Sequence, residues 1–147
     1  MSLLASTDIE LKEIPSCPLD LLDIFAKAGW NLNDGETICY LPLGDKDDFS
    51  WKFVPLTSVA IVKRELAKKI VTSELIGICI TWKDSQVGGQ LLYNVQIKKL
   101  SFVWNINRRR KSGSDRETDF SWYEEKIIKT LNEGGLQLLS VNSKDID

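Results

Sequence analysis

Asp20 with Asp23, and Glu124 with Glu125 beside Lys126, are carboxylate pairs of the kind that general acid–base chemistry uses. Cys17, just before Pro18 near an expected helix start, is the candidate nucleophile, because a helix dipole lowers a thiol's pKa. The partner such groups most often need is missing, since the 147 residues contain no histidine. That excludes, within one chain, Ser-His and Cys-His nucleophile pairs, a His-ligated zinc or iron, and an imidazole proton shuttle. Carboxylate, lysine or tyrosine chemistry is left, or none. Both carboxylate pairs lie on the polar side of an expected helix, where acids serve solubility, and no base can be named for Cys17. Gly88-Gly89 lacks a Walker pattern and a following helix, so it marks a turn and not a phosphate cradle. The expectation is a protein without catalysis, cofactor or metal.

Two other constellations suit binding. Asp45, Asp47 and Asp48 run directly into Phe49, Trp51 and Phe53, with Asp34 and Glu36 a little upstream. Aromatic side chains anchor interfaces, and charges around them set on-rate and specificity, so this segment suits docking onto a basic protein. The competing reading is that Phe49, Trp51 and Phe53 alternate along one strand face and belong to the core. A calcium loop is disfavoured, because the spacing runs into an apolar strand with no glycine and no distal glutamate in place. The second constellation is Arg108, Arg109, Arg110 and Lys111, following a strand that carries Trp104, with Trp82 and Tyr93 on expected neighbours. Cations with aromatics supply phosphate contacts and stacking for nucleic acid. Against this stand a pI near 5.3 and the lack of an RNP-like, KH-like or helix-turn-helix pattern.

The elements that position these residues follow from periodicity and punctuation. Ser16 to Ala28 reads as a helix capped by Ser16 and stopped by Gly29. Thr37–Leu41 and Phe49–Val54 read as a hairpin joined by the acidic connection 42–48. Ser58 caps a second helix through about Val71, with Val59, Val62, Leu66 and Ile70 on one face. Leu75–Trp82 is apolar on both faces and should be central in a sheet. Leu91, Tyr93, Val95 and Ile97 alternate, then Leu100, Phe102, Trp104 and Ile106 alternate on the opposite parity, which demands a bulge or tight turn near Lys98-Lys99. Residues 108–116 read as a mobile loop. Ser121-Trp122-Tyr123-Glu124 reads as a capping box opening a third helix, and Leu136–Val141 as a last strand.

The order α-β-β-α-β-β-β-α-β predicts a single α+β domain over 1–147. A mainly antiparallel sheet of about five or six strands packs on three helices. Residues 1–15 are expected as an N-terminal extension without signal-peptide character, and 142–147 as a polar tail. Cys17, Cys39 and Cys79 have no C-x-x-C spacing and read as reduced thiols in a cytoplasm. No apolar run approaches the ~18 residues of a membrane span, so no membrane partner is expected. The net charge of −2 hides opposed blocks, with residues 1–50 at −7, 51–116 at +9 and 117–147 at −4. Such asymmetry steers a charged partner to one face unless the blocks neutralise each other in the fold.

A compact, aromatic-rich chain with opposed charge blocks, the Asp45–Phe53 segment, and a Trp82-Lys83-Asp84-Ser85 turn running into Gly88-Gly89 resembles the immunity proteins of bacterial toxin–immunity systems, including contact-dependent inhibition. The resemblance implies a tight one-to-one complex with a cognate toxin domain, commonly a basic nuclease, blocked by an acidic patch. Asp45, Asp47, Asp48 and Trp51 would make the contacts, with Asp34 and Glu36 nearby. The alternatives are a nucleic-acid binder using Arg108–Lys111, and a carboxylate- or lysine-based enzyme.

Overall fold

The structure, a computed structural model, describes residues 4–45 and 47–146. Lys46 of the acidic connection, residues 1–3 of the expected extension and Asp147 of the expected tail lie outside the described residues. Among the described residues, eight antiparallel strands form one sheet: β1 (Leu4–Leu11), β2 (Trp30–Asn31), β3 (Thr37–Tyr40), β4 (Lys52–Pro55), β5 (Ile76–Trp82), β6 (Gly88–Asn94), β7 (Lys99–Ile106) and β8 (Leu138–Ile146). Their spatial order is β4-β3-β5-β6-β7-β1-β8, and β2 also pairs with β5. Three helices, α1 (Asp20–Ala28), α2 (Val59–Val71) and α3 (Phe120–Glu133), complete an α+β domain.

The sheet is larger than five or six strands because Leu4–Leu11, in the expected N-terminal extension, and the short Trp30–Asn31 are strands, while most of the expected tail only lengthens the last strand. Leu4–Leu11, placed in an N-terminal extension, lies inside the sheet between β7 and β8. Its inward positions are Ala5, Thr7, Ile9 and Leu11, all buried, and a small and a hydroxyl residue among them weaken the alternation that would announce a strand. Most of the expected polar tail continues β8, where backbone pairing with β1 and not side-chain burial sets the conformation.

Local chemistry fixes the other boundaries. The slip in parity is absorbed by a tight turn at 95–98, with Lys98 at φ 54°, so that Asn94 faces Lys99 and Tyr93 faces Leu100. Gly88-Gly89 opens β6 and does not merely end a turn. A Cβ at Gly88 would stand 1.8 Å from the Ile80 carbonyl oxygen, and one at Gly89 1.9 Å from that of Val103, so only glycine fits between β5 and β7. α1 starts at Asp20 and not at Ser16, because residues 17–19 form tight turns that present Cys17 and Pro18 carbonyls to the amides of Asp20 and Leu21. At α3 the cap is Asp119, whose carboxylate accepts the Trp122 amide, and Ser121 lies within the first turn instead of capping it.

One face of the sheet packs against the helices. Ile9, Leu100, Phe102, Trp104, Leu91, Tyr93, Ile76, Ile78 and Ile80 meet Leu21, Phe25, Val62, Leu66, Tyr123, Ile127 and Leu131. Each large apolar side chain so buried contributes about 1.5–3 kcal/mol.

Tyr93 is wholly buried on β6, and its hydroxyl has no hydrogen-bond partner among the described residues. Burial, helped by Cys17 nearby, pushes its pKa up to about 12. Burial and the Glu65 carboxylate likewise push Tyr40 up to about 12. The unfolded chain ionises a phenol near pH ~10, so above that the folded state holds more protons than the unfolded state. Stability present below pH ~10 is therefore lost as the pH rises toward the folded values. Tyr93→Phe is expected to gain on the order of 1 kcal/mol at neutral pH by removing an unpaired buried hydroxyl. It should also shrink the alkaline loss, and urea titrations at neutral pH and near pH ~11 measure both.

Candidate functional site

The acidic connection between β3 and β4 is built around a buried cation. Lys69 of α2 is fully buried, and its Nζ donates to the carbonyl oxygens of Leu41 and Asp45, each at 3.0 Å. Burial lowers the Lys69 pKa, while Glu74, Asp45 and Glu65 act in the opposite sense. Glu74, also buried, accepts from the Gly44 amide at 2.7 Å and from Thr72 Oγ1 at 2.6 Å. Glu65 accepts from the Tyr40 hydroxyl and from the Leu43 amide. Burial pushes the Glu65 pKa up, but these donors, with Lys52 and Lys68, outweigh it and hold the carboxyl below its ordinary range.

Asp45 belongs to this internal scaffold. It is 6% exposed, and its carboxylate accepts the amides of Asp48, Phe49 and Ser50 at 3.0, 3.1 and 2.7 Å. Its expected role as a partner contact is thus replaced by the shaping of the loop, a task that an anion within reach of successive amides performs well. Asp47 and Asp48 are exposed. So are Asp34 and Glu36, in the turn closed by reciprocal backbone bonds between Asp34 and Thr37. The Glu36 carbonyl accepts the Leu56 amide, which ties that turn to the start of the 3-10 turn Leu56–Ser58.

The aromatics divide. Trp51 is half-buried, lying with Leu41 over Gly77, where a Cβ would meet the Trp51 ring at 3.0 Å; this limits its use as an open contact. Phe49, held at φ 55°, is 48% exposed, and Phe53 is 67% exposed. The alternation that suggested a core face fails because β4 is a four-residue edge strand beginning only at Lys52. Phe53 sits opposite Cys39 on the sheet face away from the helices. Past β4 the chain goes on to expose Leu56, Val59 and Ile61. These were hidden from sequence reading, because Val59 shares the helical period of the buried Val62 and Leu66.

The basic loop is folded back on itself. Arg108 donates to the Arg116 carbonyl and to Thr118 Oγ1, both at 2.7 Å. Arg109 pairs with Asp119 at 3.1 Å and lies over the Trp122 ring, while its amide bonds the Tyr123 hydroxyl. Arg110 bridges Thr118, and Lys111 stands 3.9 Å from Glu117. Tyr93 and Trp104, named as stacking partners, are both buried in the core, whereas Trp82 is half-buried.

The remaining chemistry-bearing residues are spread out. Asp20 and Asp23 are exposed on α1, at the rim of an apolar cavity of about 170 Å³ floored by Leu22, Ile38, Val62 and Ile78. Glu124 and Glu125 lie on α3, and Cys17 is exposed. Cys39 and Cys79 are brought opposite each other by the register that pairs Tyr40 with Ile78. Both are buried, and their mutual hydrogen bond pulls the Cys39 pKa down and pushes the Cys79 pKa up. Among the described residues no three Cys, Asp or Glu side chains gather as a metal-binding group, and no helix is long and apolar enough to cross a membrane. No protein-family model matches the chain, and neither a curated protein nor a solved structure matches it.

Proposed function

We propose that this chain is a non-catalytic protein-binding domain, acting in the cytoplasm, that neutralises a cognate protein by masking it. The partner implied by the immunity-protein resemblance is a toxin domain with a basic surface. The observation that carries this reading is the outward placement of Phe49 and Phe53 beside Asp47 and Asp48, on a connection clamped from within by Lys69 and Asp45. Exposed aromatics on a pre-shaped loop lose little freedom on docking, and surrounding acids speed encounter with a basic partner. Asp34 and Glu36 extend the acidic rim along the neighbouring turn.

The test is affinity capture from the native host, followed by co-expression of the retained protein with wild-type or altered chain. Removing an aromatic anchor costs ~2 kcal/mol, roughly 30-fold in Kd, so Phe53→Ala is expected to lose the partner and the protection. Asp47→Lys with Asp48→Lys should mainly slow association, most at low salt. Recovery of nucleic acid with no protein overturns the proposal, as does a protein partner whose affinity ignores Phe49 and Phe53.

A further inference from the structure

In a second constellation, separate from the acidic connection, lysines lie over tryptophan rings. Lys83 Nζ sits 4.8 Å from the centre of the Trp82 ring, and Lys126 Nζ sits 5.6 Å from Trp82 and 5.2 Å from Trp122. Lys83 follows β5, and Lys126 is on α3. Lys27, at the end of α1, and Lys129, one turn along α3, join Trp82, Lys83 and Lys126 around a cleft of about 270 Å³. Lys27, Lys83 and Lys126 form no ion pair among the described residues, whereas Lys129 stands 3.9 Å from Glu133. Glu125 and Glu133 also line the cleft.

A carboxylate that holds a lysine cancels its charge, but a ring face that holds it leaves the full positive charge available. The tryptophans thus order the ammonium groups without neutralising them. Lys83 is held in the left-handed region at φ 45°, a conformation uncommon for a residue with a side chain. Its amide donates to the Gly29 carbonyl at 2.9 Å, and its own carbonyl accepts from Asn31 at 2.8 Å. Hydrogen bonds on both sides thus fix the Lys83 backbone at the turn after β5.

We propose that this cleft binds the phosphate group of a small phosphate-bearing ligand, with Lys126 as the central contact and Lys27 and Lys83 beside it. The ligand chemistry is a doubly charged oxyanion, from a nucleotide or from inorganic phosphate. The site is distinct from the acidic aromatic edge, and the two stand or fall separately.

The probes are ADP and inorganic phosphate, titrated at low salt while the indole N–H signals of Trp82 and Trp122 are followed by NMR. Both are expected to saturate at millimolar or lower concentration. Lys126→Ala and Lys83→Ala should each weaken binding at least about fivefold, and Lys126→Arg should retain it. Lys68→Ala, an equal loss of charge on α2, should change it less than about twofold. Equal affinity for the two probes means that phosphate alone is read, and tighter ADP binding means that a base also contacts the indoles; either supports the site. Failure of both probes to saturate below about 10 mM overturns it, as does equal weakening by Lys68→Ala and Lys126→Ala.

Discussion

Trp104→Ala is expected to cost about 3–5 kcal/mol, a large fraction of the ~5–15 kcal/mol that stabilises a folded domain. The indole is the hub of the aromatic core. Its ring lies 4.2 Å from Tyr123, 4.9 Å from Phe102 and 6.2 Å from Trp30, centre to centre, all in stacked arrangements. Its Nε1 donates at 2.9 Å to Thr7 Oγ1, which is itself 2.8 Å from Ser143 Oγ. One side chain thus links β7 to β1, and through Thr7 to β8, while packing against α3. Truncation leaves a cavity and strands the buried Thr7 hydroxyl with a single partner. Trp104→Phe keeps most of the packing and should cost only about 1–3 kcal/mol, mainly the lost hydrogen bond and the smaller ring. Urea unfolding followed by circular dichroism separates the two variants, and a Trp104→Ala loss under about 1 kcal/mol would refute the hub assignment.

The second large effect belongs to Lys69. Lys69→Met keeps the aliphatic bulk but deletes two hydrogen bonds and the cation that faces Asp45, Glu74 and Glu65. Removing one partner from a buried charged cluster costs about 3–5 kcal/mol, because the remaining charges lose their compensation. The damage should concentrate in the connection from Leu41 to Ser50. Amide exchange there is expected to accelerate far more than in β6 or β7. Because burial depresses the lysine pKa, the unfolded chain binds the extra proton between the folded value and ~10.4, so Lys69 by itself makes stability rise with pH in that window. Loss of this term in Lys69→Met should flatten the rise in stability below pH ~10.4 and leave in place the decline that Tyr40 and Tyr93 set above it. Unchanged exchange in the connection would show that the carboxylates alone hold it.

The α+β class and the middle of the sheet were legible because β5, β6 and β7 carry strong alternation or unbroken apolar character. The parity slip before Leu100 foretold the turn at 95–98 for the same reason. β1 was not legible, since Ala5 and Thr7 fill inward positions without looking apolar enough, whereas β8 was expected over Leu136–Val141 and only its continuation through 142–146, with little side-chain burial, went unread. At the site, the acids of the connection were visible, but the Lys69 that holds the Asp45 carbonyl lies on another element. Phe53 looked like core because alternation cannot tell an edge strand from an inner one. The pairing of Lys126 with both Trp82 and Trp122 has no local signal at all, because α3 and the end of β5 meet only through the tertiary fold.

The place of β1 between β7 and β8 has a consequence for how the chain is made. Leu4–Leu11 leaves the ribosome long before Lys99–Ile106, and longer still before Leu138–Ile146, yet it pairs with nothing else in the sheet. At ~5–20 residues per second this strand waits on the order of ten seconds for its second neighbour. Its polar outward positions, Ser6, Asp8 and Glu10, suit such a wait, because a strand with one charged face is a poor template for pairing with other nascent chains. The polar outward face of β1 thus limits its pairing with other chains until the sheet closes around it.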